Sequence, residues 1–155
     1  MKKYLSQFKI SFSLCGFLAF LIQELPYLPW LLCPPADNPL ANNNPANVFL
    51  GILEQAGGIF TVILLILFVR KDTAKLNFKS IFPIIAILCI IAYYVCWACY
   101  FNGVTNGWLI VVGLSAVVPI YYFFVALWLK NNFAIITSIL FFIGHTGSNT
   151  LNYLI

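Results

Sequence analysis

The sequence predicts an all-α, polytopic transmembrane helix bundle, and three observations carry that prediction. Of its 155 residues, 63% are apolar or aromatic and only 8% are charged, which is more apolar surface than a water-soluble sphere of this size can hide. Uncharged apolar runs long enough to cross roughly 30 Å of hydrocarbon, at about 1.5 Å per residue, recur along the chain. The eight basic residues stand in three clusters at the ends of those runs, as topology signals do.

Spans fall near residues 8–25, 48–69, 81–101, 108–129 and 133–154. These five form one integral membrane domain over residues 1–155 and leave no room in it for a separate soluble catalytic domain. The first span follows a basic start and shares that pattern with secretory leaders. No A-x-A-like site follows it, Glu24 and Pro26 interrupt it, and Leu14 precedes Cys15 where a lipoprotein signal needs a small residue, so it is read as a span. The second and fourth are the clearest. The fifth is the most polar, because its apolar run from Phe133 to Gly144 gives way to HTGSNTLNYLI, and a four-span chain is the competing reading.

Charge sets the orientation. Lys2, Lys3 and Lys9 precede span 1, Arg70, Lys71, Lys75 and Lys79 lie between spans 2 and 3, and Lys130 lies between spans 4 and 5. All fall on one side, which the positive-inside rule makes cytoplasmic, with the N-terminus inside and the C-terminus outside. Aromatic residues follow the same boundaries: Tyr27, Trp30, Tyr100, Trp108 and Tyr153 at the outer interface, Tyr4 and Trp128 at the inner one. The expected location is the plasma membrane.

The outer loop, residues 26–47, holds six of the eight prolines and five asparagines. That composition excludes a continuous helix and suits a loop capping the bundle, re-entrant over residues 27–32. No internal repeat is detectable, which argues against an inverted-repeat transporter.

Three ionisable residues interrupt the apolar segments, and each is costly in lipid: Glu24 in span 1, Glu54 in span 2 and His145 in span 5. Counted from the nearest interface, they lie roughly 2 to 6 Å, roughly 9 Å and roughly 12 to 14 Å deep, all in the outer half. Helical phase groups His145, Ser148, Asn149 and Asn152 on one stripe of span 5. Gly51, Glu54, Gly58 and Thr61, with Gln55 beside them, make a small and polar stripe on span 2. Ser13, Gly16, Ala19, Gln23 and Glu24 do so approximately on span 1. Small residues let helices approach closely, which would gather these groups. The expectation is an outward-facing polar pocket in which Glu24, Glu54, His145, Asn149 and Asn152 bind a small polar ligand or a cation, or carry a proton. The structural alternative is that Glu24 reaches to the interface, Glu54 bonds a neighbour, and His145 with its asparagines holds span 5 to the bundle.

Further constellations are weaker. Cys96 and Cys99 form a CxxC near the outer end of span 3, as in quinone-linked disulfide oxidoreductases, but those enzymes need further loop cysteines and only Cys33 lies outside. Cysteine in an apolar chain also serves as a small hydrophobe. One histidine excludes every metal site that needs two, and no metal or cofactor is expected. Pro119 removes the hydrogen bond to the Ser115 carbonyl and should kink span 4, with Tyr121 and Tyr122 on its cytoplasmic side. No nucleotide-binding, serine-hydrolase or zinc-hydrolase motif is present. The basic clusters serve topology and not nucleic acid. The first functional expectation is thus a ligand-binding or transport protein, without enzymatic activity. The second is an accessory or immunity-like subunit of a larger membrane complex. The third is a membrane enzyme acting on a lipid or thiol.

Overall fold

The computed structural model describes residues 6–71 and 78–155. Lys2, Lys3, Tyr4 and Lys75 lie outside the described residues. The fold is an all-α bundle whose elements run β1 (Phe8–Ile10), α1 (Leu14–Glu24), α2 (Tyr27–Leu32), a 3₁₀ turn (Pro39–Asn42), α3 (Val48–Leu67), β2 (Phe68–Arg70), α4 (Ile81–Phe101), α5 (Leu109–Trp128) and α6 (Asn132–Tyr153). Among the described residues four helices, α3 to α6, are long and apolar enough to cross a membrane, so the protein is a multi-pass membrane protein. The polar fifth segment is among them.

Helix α5 is the centre. In its most apolar stretch 61% of residues are buried, against 22%, 22% and 28% in α3, α4 and α6; the outer three present their Ile, Leu and Phe side chains to the surroundings, as a lipid-facing layer does. The first turns of α5, Leu109–Ala116, are π-helical. Pro119 accounts for this: its ring would collide with the carbonyl four residues earlier, and a widened turn moves that carbonyl aside.

The first predicted span departs most from expectation. Residues 8–10 are extended and pair antiparallel with Phe68–Arg70, at the predicted end of span 2, in the register Phe8↔Arg70 and Ile10↔Phe68. The cause is the C-terminus of α3, whose last carbonyls have no helical donors of their own. The N-terminal segment supplies them, with Ser11 N–H to Leu67 O at 3.0 Å and Ser13 N–H to Ile66 O at 2.7 Å. Ser13 then caps α1 by accepting from Gly16 N–H at 3.1 Å. Gly16 packs so closely on the Leu65 carbonyl that a Cβ would overlap it.

Helix α1 has 11 residues, about half of what a crossing needs, and Pro26 divides it from α2. The carbonyl that Pro26 cannot satisfy, Ile22 O, accepts from the Tyr94 hydroxyl at 2.7 Å. Helix α2 carries the chain on past Trp97, whose ring lies edge-on to Tyr27 at 5.9 Å. The segment expected to end at residue 25 is therefore a broken helix reaching Leu32.

Asparagines of the loop tie it down over one end of the bundle. Asn38 Oδ1 accepts from Trp30 Nε1 and from the Tyr100 hydroxyl, Ala46 N–H donates to Ser148 Oγ, and the Tyr153 hydroxyl donates to Pro39 O. The opposite end carries Lys9, Arg70, Lys71, Lys79 and Lys130. These are called the loop end and the basic end below.

Candidate functional site

A cavity of about 730 Å³ lies toward the loop end, and every helix contributes to its wall. Its volume is that of a small-molecule site. Four of the five residues singled out from the sequence, Glu24, Glu54, His145 and Asn149, line it.

Two glycines of the α3–α6 crossing bring the central pair together. A Cβ at Gly144 would overlap the Glu54 backbone nitrogen, and one at Gly57 the backbone of Phe141, so the two backbones meet as small residues permit. His145 and Glu54 flank this contact, and His145 Nδ1 stands 2.8 Å from Glu54 Oε1. A proton must lie between these atoms, whether on nitrogen or oxygen. The Phe141 ring stacks one turn away on the imidazole, with centroids 5.1 Å apart. Both side chains of the pair are 23% exposed, so the pair stands on the cavity wall. Among the described residues, His145 Nε2 and the second oxygen of Glu54 have no protein partner, which leaves one ring nitrogen and one carboxyl oxygen for a guest.

Asn149 holds the pair's surroundings rigid. Its amide nitrogen donates to Ser115 Oγ at 3.0 Å and to His145 O at 2.8 Å, and its oxygen accepts from Asn43 Nδ2 at 2.8 Å. It therefore links α6 to the π-helical part of α5 and to the loop. Asn152 does not reach the cavity: its amide donates to Asn43 Oδ1 and Asn44 O and anchors the loop. Phase along α6 places Asn149 and Asn152 on one stripe, but the loop covers the outer end of that stripe.

Glu24 lies deeper than counting from the interface suggests. Its neighbour Gln23, 5% exposed, donates to the Tyr93 hydroxyl at 3.2 Å and accepts from the Tyr122 hydroxyl at 2.7 Å. Tyr93 stands about 12 Å from the loop end of α4 at about 1.5 Å per residue. The break at Pro26 thus falls inside the bundle, with Glu24 at its lip. Glu24 has no hydrogen-bonding or ionic partner among the described residues, so this carboxylate is not consumed by the fold.

Sequence reasoning missed several wall residues. Tyr93, Trp97 and Trp30 line the cavity, yet an aromatic residue in an apolar helix gives no phase signal that separates cavity from lipid. Ser115 was noticed only for its carbonyl. Of the two tyrosines after Pro119, Tyr122 lines the cavity, whereas the Tyr121 hydroxyl donates to Ala19 O at 2.9 Å. Cys96 and Cys99 are unlinked, partly buried and outside the cavity wall, and Cys96 packs on Gly113. Among the described residues no three His, Cys, Asp or Glu groups converge as a metal centre needs. Comparison with protein-family models, with curated proteins and with solved structures finds no match.

Proposed function

We propose that this protein binds or transports a small polar molecule or ion, which enters the cavity from the outer face. The supporting observation is that Glu24, Glu54 and His145 line one cavity, although they come from three helices separated by up to 121 residues of sequence (145 − 24). Ionisable groups are expensive inside a membrane, and a bundle that needed them only as glue would pair them fully. Here Glu24 and half of the Glu54–His145 pair face open volume. The outward direction rests on the positive-inside rule applied to the basic clusters at the opposite end.

Mass spectrometry of small molecules retained by the protein purified from membranes, for wild type and for Glu54→Gln and His145→Ala, tests this reading. The expected outcome is a ligand lost in both variants while thermal unfolding in detergent stays near normal. Loss of fold and ligand together identifies the pair as structural glue.

A second reading, an accessory subunit that docks by helix contact, draws on Gln55, an amide in the apolar helix α3 that is exposed at the bundle surface. A partner helix would satisfy it. Retention of a protein partner by wild type and its loss from Gln55→Leu supports that role.

A further inference from the structure

Given the proposed ligand-binding role, on which this step rests, the wall of the cavity defines the class of guest. Its charged and basic groups are Glu24, Glu54 and His145, and no lysine or arginine lines it. The formal balance is two carboxylates against one imidazole, so the cavity disfavours anions. Glu54 already faces a basic partner at 2.8 Å. Glu24 does not, and its uncompensated carboxylate needs a counter-charge when water leaves the cavity.

The surroundings of Glu24 are aromatic. Tyr27, one helical turn further along the chain, has ring centroids 5.1 Å from Trp30 and 5.9 Å from Trp97, and Tyr93 lies 6.2 Å from Trp97. The Tyr27 and Trp30 planes are tilted by 57° and keep exposed surface, whereas Trp97 and Tyr93, only 3% and 2% exposed, back them from behind with planes tilted by 86°. Ring faces attract cations that shed their water easily, which organic ammonium ions do and small inorganic ions do not. The third side is apolar: Ile59 and Ile63 line the cavity and are also 59% and 44% exposed at the bundle surface, so the cavity reaches the lipid-facing side along α3. A guest matched to all three walls carries a diffuse positive charge and an apolar body.

We infer that the cavity is a site for an organic cation, an amine or quaternary ammonium with an apolar substituent, whose charge rests between Glu24 and the Tyr27 and Trp30 rings, which Trp97 and Tyr93 hold from behind, while its body lies against Ile59 and Ile63. His145 and Glu54 form the opposite polar wall and do not carry the charge selection.

Equilibrium dialysis of the full chain in nanodiscs, against empty nanodiscs, with benzyltrimethylammonium, benzyl alcohol, benzoate and potassium as probes, tests this assignment. Benzyltrimethylammonium cannot lose its charge, so any change among variants belongs to the protein. The expected result is saturable binding of the ammonium, weakened about tenfold by Glu24→Gln and by Tyr27→Leu and unchanged by Asp37→Asn, a carboxylate outside the cavity. Binding of benzyl alcohol should not respond to Glu24→Gln. Ammonium binding that is absent, or that is indifferent to Glu24, overturns the ligand class. In that case, saturable binding of any other probe that Glu54→Gln abolishes leaves the cavity as a ligand site for a different guest. If no probe binds in a Glu54-dependent way, the ligand-site reading falls as well.

Discussion

At the basic end, Asn131 directs its amide hydrogens to the Leu64 and Phe68 carbonyls, both at 2.8 Å, and its oxygen to Ala134 N–H at 3.2 Å. At the loop end, Glu24 directs its carboxylate to no group among the described residues, and His145 keeps one ring nitrogen without a partner among them. The basic end uses polar side chains to finish backbone that helices leave unsatisfied, at the terminus of α3 and the start of α6. Its apolar filling is equally committed, with Phe8, Phe68 and Phe133 clustered at centroid distances of 4.8 to 5.4 Å. The loop end also spends side chains on loop backbone, as Ser148 does on Ala46 N–H, but around the cavity it leaves part of the hydrogen-bonding capacity of Glu24, Glu54 and His145 open. Polar residues therefore have different meanings at the two ends: closure at one, availability at the other.

Substitution should separate the two ends, and the largest effect falls where fold and site coincide. Gly144→Leu forces α6 off the Glu54 backbone and should cost about 3 kcal/mol by overpacking, read as a lowered unfolding temperature in detergent, together with loss of ligand from the folded fraction. Gly16→Leu creates a comparable clash at the basic end and should cost similar stability while the surviving fold still binds. Equal loss of affinity in both variants would falsify the division into a closing end and a binding end. Asn131→Ala removes two carbonyl contacts and a cap, and an expected cost of about 2 kcal/mol should appear in chemical unfolding with affinity unchanged. Glu54→Gln is the converse: affinity should drop about tenfold, equal to about 1.4 kcal/mol, while stability moves by less than about 1 kcal/mol. Smallest is Asn152→Ala, which releases Asn43 Oδ1 and the Asn44 carbonyl while Asn149 still holds the Asn43 amide nitrogen, and should cost about 1 kcal/mol or less. Hydrogen exchange should report it as faster exchange in residues 38–47 alone, and a uniform rise across the bundle would show that the loop is not an independent cap.

Much of the fold was legible because lipid demands long uncharged runs, and α3, α4, α5 and α6 lie within about two residues of the expected spans. Span 1 was not legible in the same way. Its apolar composition is that of a helix, but whether residues 8–10 extend or coil depends on the unsatisfied carbonyls at the end of α3, more than fifty residues away in sequence. At the site, isolated charges in apolar surroundings announced themselves one by one, so Glu24, Glu54 and His145 could be named from cost alone. Tyr93, Trp97 and Trp30 could not, because lipid, core and cavity all accept an aromatic ring. Asn152 shows the opposite limit, since correct helical phase did not reveal that Asn43 and Asn44 would occupy it.

By itself, the sequence determined that this protein lives in a membrane, where its basic end lies, and which few residues are too polar to be there without a reason. Those properties follow from one-dimensional quantities, hydrophobicity summed over a run and charge counted along it. Only the tertiary structure decided that Pro26 breaks the first helix inside the bundle and that Gly144 seats α6 on Glu54. It also decided that one carboxylate is left beside aromatic rings with no partner among the described residues. Such facts depend on which backbones approach within contact distance, and close packing sets that from all six helices at once.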